Sequence, residues 1–197
     1  MKKFISSKKM FSFLLVLSLS VFISCDVNSP NAGDSGKYFP MQIGNKWYYA
    51  PDSYSSNFDS TNINEIWTVA DTKYIDGIQF YVINCFYITY DYSYSYVLYY
   101  NPNVNILYEY IDNGQESPYI TPKAKFNLNV NDKFEYINGL NYNVSVISKN
   151  WPYMSFYYDD PQVYDEEYSI TFKEGIGIYK WISGWGIGER LVKSELK

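Results

Sequence analysis

A strict alternation of apolar and polar residues, repeated in three separate segments, limits the folds open to this chain. KAKFNLNV (residues 123–130) places apolar side chains on one face and lysine and asparagine on the other. NYNVSV (residues 141–146) and EYSITFK (residues 167–173) show the same period of two. Such a period predicts β-strands with one buried and one wetted face, which is the habit of antiparallel sheets.

Turn-forming residues divide most of the remaining chain into similar short runs, and no long window has a helical stripe. The predicted strands lie near residues 46–50, 64–72, 78–88, 93–100, 104–111, 117–128, 133–138, 141–149, 165–173, 176–182 and 186–194. The turns between them are mostly tight, so neighbouring strands should pair as hairpins. We therefore predict an all-β, antiparallel meander of about 9–11 strands forming a closed or half-open barrel, with a two-sheet sandwich as the alternative.

Aromatic content supports a packed domain and narrows the chemistry. The chain contains 24 Tyr, 12 Phe and 5 Trp but no histidine. That much aromatic surface argues against disorder. The lack of histidine excludes a Ser-His-Asp triad and His-ligated metal sites. We expect no catalytic residues, no metal site and no cofactor, and hence a protein that is not an enzyme.

The N-terminal 24 residues have the organisation of a secretory signal peptide. Four lysines within residues 2–9 precede the apolar run MFSFLLVLSLSVFI, which is too short to span a bilayer. The run ends in Phe22-Ile23-Ser24-Cys25, which resembles the lipobox of bacterial lipoproteins. The resemblance implies acylation of Cys25. Cys85 would then be a lone thiol, in a run typical of a buried strand.

Residues 25–36 are expected to form the lipidated cysteine and a flexible tether, and residues 37–197 a single β domain. The tether, DVNSPNAGDSG after the cysteine, contains no aromatic residue. Without residues 1–24, 12 basic and 21 acidic residues remain, a net charge of −9. This charge disfavours nucleic acid as a partner. Association with a membrane would come from the acyl chains.

The start of the predicted domain, YFPMQIGNKWYY (residues 38–49), carries a second resemblance. It is similar to the YFP-x-x-x-GNxWxY opening of uncharacterised bacterial envelope lipoproteins, which have a lipobox, a short tether and a β-rich domain. A Gly-Ile-Gly segment near the C-terminus fits the same group. The resemblance implies a lipid-anchored envelope protein, and we favour the outer membrane. Five residues of these motifs are assigned structural roles: Gly44, Asn45, Trp47, Gly175 and Gly177.

A run of tyrosines is the strongest candidate for a binding surface. Tyrosine offers a flat apolar ring and a hydroxyl, which suit sugars, lipid tails or protein partners. Aromatic pairs that only stabilise the sheet are the alternative. The candidate binding residues are Tyr90, Tyr92, Tyr94 and Tyr96, with Tyr108 and Tyr110 adjoining them across a turn.

The acidic stretch YYDDPQVYDEEY (residues 157–168) matches neither an EF-hand loop nor a fixed carboxylate pair, so a solvated loop is expected. The function predicted from these features is a non-enzymatic envelope lipoprotein. Its aromatic surface or cavity would bind a hydrophobic, glycan or protein ligand. A structural component of an envelope protein complex is the alternative.

Overall fold

The computed structural model describes residues 38–54, 57–114 and 117–197. They form one antiparallel sheet of twelve strands. The strands are β1 (Lys46–Ser53), β2 (Glu65–Ile75), β3 (Ile78–Tyr87), β4 (Tyr92–Asn101), β5 (Ile106–Ile111), β6 (Tyr119–Lys125), β7 (Lys133–Ile137), β8 (Asn141–Asn150), β9 (Tyr153–Asp159), β10 (Tyr168–Lys173), β11 (Gly177–Ser183) and β12 (Ile187–Glu195).

Each strand pairs with its neighbours in sequence, except between β6 and β7, and β1 also pairs with β12. The sheet curls into a nearly closed barrel, which confirms the predicted all-β, antiparallel meander. It is one continuous sheet, so the two-sheet alternative is wrong. The additional strand is β9, which is absent from the predicted strands, and its last three residues belong to the stretch 157–168 that we expected to be a solvated loop. Its residues Met154, Phe156 and Tyr158 alternate with partly exposed ones and are buried.

The barrel has a seam between β6 and β7, the two ends of the sheet order. Side chains bridge this seam: the Ile137 amide donates to Thr121 Oγ1 at 3.1 Å. From across the interior, the hydroxyl of Tyr158 donates to the carbonyl of Lys123 at 2.6 Å. These contacts close the barrel where a backbone ladder is missing in the described residues.

One end of the barrel is filled by the segment that leads into β1, and we call it the plugged end. Tyr38 stacks on Phe126 at 4.3 Å between ring centroids, and Phe39 stacks on Trp47 at 5.1 Å. Trp47 Nε1 donates to the carbonyl of Ile176, in the turn between β10 and β11. Phe39 and Trp47 are completely buried. The plug therefore joins the chain entry to the barrel core.

Of the motif residues, Gly44 and Asn45 lie in the plug itself, and Trp47, Gly175 and Gly177 lie in the strands and the turn beside it. Gly44 has a φ of +88°, in a region that favours glycine, and its amide donates to the Val69 carbonyl at 2.8 Å. Asn45 donates through Nδ2 to the Pro40 carbonyl at 3.1 Å. Gly175 has a φ of +73° in the turn after β10. Asn45 is buried, so these contacts hold the entry segment against the barrel.

Gly177 is the position where a side chain would fit least well. Its φ is +115°, and a Cβ atom there would lie 2.8 Å from Cδ2 of Phe39. Real Cβ contacts are essentially never this short. The absence of a side chain at Gly177 thus allows Phe39 to seat in the plug.

The predicted signal peptide, Cys25 and the predicted tether lie outside the described residues. In the part of the chain that the structure describes, no helix is long and apolar enough to cross a membrane.

Candidate functional site

A cavity of about 400 Å³ opens at the other end of the barrel, which we call the open end. Strand direction alternates along the meander, so Asn138, Ser183 and the loop between β9 and β10 all lie at this end. We call this space the barrel cavity. Its lining residues are Trp67, Tyr87, Tyr94, Tyr96, Lys123, Tyr136, Asn138, Tyr142, Asp165, Glu166, Glu167, Tyr168, Ile170, Ile178, Trp181 and Ser183.

An ion pair lies in the wall of the barrel cavity. Lys123 on β6 and Glu109 on β5 are each 4% exposed, and Lys123 Nζ lies 2.6 Å from Glu109 Oε2. The hydroxyl of Tyr136 donates to the same carboxylate oxygen at 2.7 Å. Lys123 Nζ also lies over the ring of Tyr96, 4.5 Å from its centroid. A buried charge is tolerated only with such partners, and here both charges have them.

Competing effects act on the pKa of Lys123. Burial lowers it, but the Glu109 carboxylate and the neighbouring phenols outweigh this, and the pKa is raised well above its usual range. For Tyr96, burial raises the pKa to about 12, although the positive charge of Lys123 acts to lower it. At neutral pH the wall therefore contains an ammonium group and un-ionised phenols, which are hydrogen-bond donors.

The structure divides the predicted tyrosine run between the inside and the rim of the barrel. Tyr94 and Tyr96 line the barrel cavity. Tyr90 is 76% exposed and Tyr92 is 57% exposed, both at the open end. Tyr92, Tyr94 and Tyr96 form a continuous series of ring contacts, with centroids 6.0 Å and 5.4 Å apart. A ligand entering the cavity would thus meet aromatic rings from rim to interior.

Tyr108 and Tyr110 do not adjoin this series. Tyr108 pairs with Tyr99 across strands and stacks on it at 6.1 Å, and Tyr110 contacts Phe80. These rings lie on the outer face, because the alternate residues of β5 point inward and are buried. Contrary to the prediction from the sequence, Tyr108 and Tyr110 therefore do not adjoin Tyr94 and Tyr96 across the turn. Strand β5 turns its leucine, glutamate and isoleucine to the interior instead.

A second space, the mouth pocket, lies beside the barrel cavity and shares Tyr87 and Trp181 with it. Its volume is about 620 Å³. The lining residues are Pro51, Asn64, Tyr87, Tyr90, Tyr92, Trp181, Ile187, Gly188 and Glu189.

Two buried glutamates lie near the mouth pocket. Glu189 is 4% exposed, accepts a hydrogen bond from Asn64 Nδ2 at 3.1 Å through Oε1, and has no hydrogen-bond partner at Oε2. Glu65 is fully buried and accepts from the Tyr94 hydroxyl at 2.7 Å. Burial raises the pKa of Glu65, although the polar groups of Tyr94, Trp67 and Tyr87 act against it. Burial, with a smaller effect of Glu65, raises the pKa of Glu189 to about 7 against the hydrogen bond from Asn64.

The acidic stretch splits into two parts. Asp160 is buried and structural, since it accepts hydrogen bonds from the amides of Asn141 and Gln162, both at 2.9 Å. Asp165 and Glu166 are exposed and line the mouth of the barrel cavity. Within the described ranges, no group of three or more His, Cys, Asp or Glu side chains is arranged to hold a metal ion.

Four polar residues of these sites, Glu65, Glu109, Lys123 and Glu189, were missed by the sequence predictions. The alternation in residues 123–130 placed apolar residues on the buried face. In fact β6 ends at Lys125, and a register irregularity between β5 and β6 occurs at Leu107/Tyr108. Lys123 and Ala124 are both buried as a result. One feature of the sequence could have indicated these residues, namely a charged residue within an otherwise apolar strand, as with Glu109 in ILYEYI.

Comparison with known proteins adds one finding to this geometry. No family model matches the chain, and no curated protein matches it. Among solved structures, the chain is similar to a protein of Parabacteroides distasonis described as a "putative lipoprotein", with 7% sequence identity and a TM-score of 0.40. The similarity covers 81% of this chain and 99% of that one.

Proposed function

We propose that this protein is a non-enzymatic, lipid-anchored lipoprotein of the bacterial cell envelope whose barrel cavity binds a glycan. The observation that carries the proposal is a cavity lined by tyrosine rings, with a buried ammonium–carboxylate pair in its wall and carboxylates at its mouth. The sequence resemblances to a lipobox and to envelope lipoproteins supply the anchoring part. We place the protein at the outer membrane.

A glycan suits the lining better than a lipid tail does. Sugar rings present apolar faces for aromatic stacking and many hydroxyls for hydrogen bonds. The cavity offers both, since Tyr94, Tyr96 and Tyr136 supply rings while Lys123 and Glu166 supply charged groups. The volume of about 400 Å³ lies within the range of small-molecule sites. An acyl chain offers no hydrogen-bonding group to the exposed Glu166 carboxylate and would shield it from water, which costs free energy.

The position of the plug agrees with anchoring. The described chain starts at Tyr38, in the plug, and the cavity opens at the opposite end. An anchor joined to the chain ahead of Tyr38 is therefore attached at the end of the barrel opposite the cavity.

Anchoring is tested by intact-mass analysis of membrane-extracted protein. We expect the mass of residues 25–197 plus acyl chains, and loss of both acylation and membrane association in Cys25→Ala. Unacylated protein in the soluble fraction would refute the anchor, without bearing on the binding of ligand.

Glycan binding is tested by screening the full chain in non-ionic detergent against a glycan array, with fatty acids and phospholipids as competitors. Asn138→Trp places a large ring at the exposed mouth of the cavity and should abolish binding. Asn103→Trp, in the exposed turn at the plugged end, is the matched control and should bind normally. Retained binding in Asn138→Trp would exclude the barrel cavity, and displacement by lipid alone would make the ligand hydrophobic.

A role in assembling an envelope complex is the second candidate, and one observation favours it. Tyr54, Tyr90, Tyr164 and Trp185 are 76%, 76%, 91% and 71% exposed and all lie in or beside open-end loops. Large exposed rings of this kind are enriched at protein interfaces. Size-exclusion chromatography of solubilised membranes distinguishes the two roles, because a binding protein would elute alone and an assembly component within a larger complex.

A further inference from the structure

We propose that the mouth pocket is a second binding site, specific for a small organic cation such as a quaternary or primary ammonium ion. The mouth pocket shares Tyr87 and Trp181 with the barrel cavity but has its own carboxyl group, that of Glu189, and the proposal does not depend on what the barrel cavity binds.

The first support is a buried acceptor without a partner. Glu189 lines the mouth pocket and is 4% exposed, yet its Oε2 has no hydrogen bond. In the described ranges, neither Glu189 nor the neighbouring Glu65 forms an ion pair with a lysine or arginine. Leaving a buried carboxyl oxygen unpaired is costly, and a cation in the pocket would compensate the negative charge of the ionised group.

The second support is the aromatic wall. Tyr87, Tyr90, Tyr92 and Trp181 line the same pocket as the carboxyl. The faces of tyrosine and tryptophan rings carry negative electrostatic potential and attract ammonium ions. A pocket that combines aromatic rings with a carboxyl group favours a cation that also carries apolar groups. Metal ions and hydrated protons carry no such groups. The combination therefore selects organic cations over inorganic ones.

The third support is that the nearby cations of this chain are engaged on the other face of the sheet. Lys180 and Arg190, adjacent in sequence to Trp181 and Glu189, bind Asp52 at 2.8 Å and 2.7 Å. Arg190 also lies over the ring of Phe58, at 4.5 Å. Since side chains alternate across a strand, these groups point away from the pocket. The titratable groups facing Glu189 are Glu65 and the phenols of Tyr49 and Tyr87.

The experiment is isothermal titration calorimetry of the full chain in non-ionic detergent with choline and tetramethylammonium. The neutral control ligand is dimethylbutanol, in which carbon replaces the charged nitrogen of choline. We expect saturable binding of both cations, and we expect the alcohol to bind at least about tenfold more weakly than choline. Equal binding of alcohol and choline would show an apolar pocket without charge selectivity, and no heat with either cation would overturn the proposal.

Matched variants locate the charge. Glu189→Gln keeps the shape of the side chain and should weaken choline binding about tenfold to a hundredfold, while Glu135→Gln on the exposed face of β7 changes nothing. Tyr92→Leu should weaken it about two- to fivefold. Circular dichroism confirms that each variant folds. Unchanged affinity in Glu189→Gln would refute the site.

The pH dependence of binding supplies a readout that a purely structural role for Glu189 would not move. The ionised carboxylate binds a cation and the neutral acid does not, so affinity for choline should rise with pH as Glu189 ionises, near its pKa of about 7. The rise should disappear in Glu189→Gln. Asn138→Trp, which fills the entrance of the barrel cavity, should leave choline binding unchanged. Loss of choline binding there would mean that the two sites are one.

Discussion

The two ends of the barrel are built on opposite principles. At the plugged end, Phe39 and Trp47 are fully buried, and the hydrogen-bonding groups of Gly44 and Asn45 have partners. At the open end, the Oε2 atom of the buried Glu189 has no hydrogen-bond partner. Packing and satisfied hydrogen bonds stabilise a fold, whereas a buried polar atom without a partner destabilises the free protein. The contrast teaches that stability is concentrated where the chain enters and binding capacity where the barrel opens.

The contrast is tested most strongly by truncating one ring at each end. Phe39→Ala deletes a fully buried ring from the plug, and we expect a loss of about 3–5 kcal/mol in the free energy of unfolding. Tyr92→Ala, at the rim, removes a ring that is 57% exposed and should cost much less. Denaturant unfolding of the two variants measures the difference. Equal losses would mean that the rim contributes to stability as much as the plug.

The buried ion pair of Lys123 and Glu109 has features of both ends. Its two charges have partners, as polar groups do at the plugged end, and yet it lies in the wall of the barrel cavity. Lys123→Met leaves Glu109 buried without its counter-ion, so we expect a loss of about 3–5 kcal/mol in the free energy of unfolding. The double variant Lys123→Met/Glu109→Leu removes both charges and should recover most of that loss.

Thermal and denaturant unfolding of the single and double variants check this expectation. A double variant as unstable as Lys123→Met would show that the pair stabilises the barrel beyond compensating its own burial. In that case polar contacts would stabilise the cavity wall in the same way as they stabilise the plugged end.

The smallest predicted effect concerns ionisation at the open end. The pKa of Glu189 is raised from 4.5 to about 7 by burial. Because the folded protein binds this proton more tightly than the unfolded chain, stability attributable to the group is present below pH 4.5 and is lost as pH rises towards 7. The loss amounts to at most about 3 kcal/mol at 1.36 kcal/mol for each pKa unit.

The measurement is the free energy of unfolding of the ligand-free protein from pH 4.5 to 8, compared with Glu189→Gln. The stability of the variant relative to the natural chain should increase over this interval and then become constant. A constant difference across the interval would mean that the pKa of Glu189 is not raised in the folded protein. The buried carboxyl would then not destabilise the open end.

Sequence alone predicted the fold class and most strands, because period-two alternation and turn residues are local signals that record which face of a strand is buried. It missed β9, although the alternation of that strand is itself a local signal, and it extended β6 past Lys125, where the strand ends. The failure at β6 involves the register with a neighbouring strand, which local composition does not encode.

The candidate site was only partly accessible to sequence. The tyrosine run was recognised as a candidate, but Tyr108 and Tyr110 lie on the outer face and Tyr94 and Tyr96 on the inner one. The direction of a side chain depends on strand register, and a shift of one residue reverses it.

Chain order and amino-acid pattern thus determined that this protein is a meander of antiparallel strands rich in tyrosine. Only the tertiary structure decided which tyrosines face the cavity, that Lys123 meets Glu109, and that Glu189 is buried without a partner for Oε2. The physical reason is that these placements depend on strand register and on how the sheet curls, as with Lys123 at the register irregularity between β5 and β6. Curvature and register bring them together, and neither is written in any single strand.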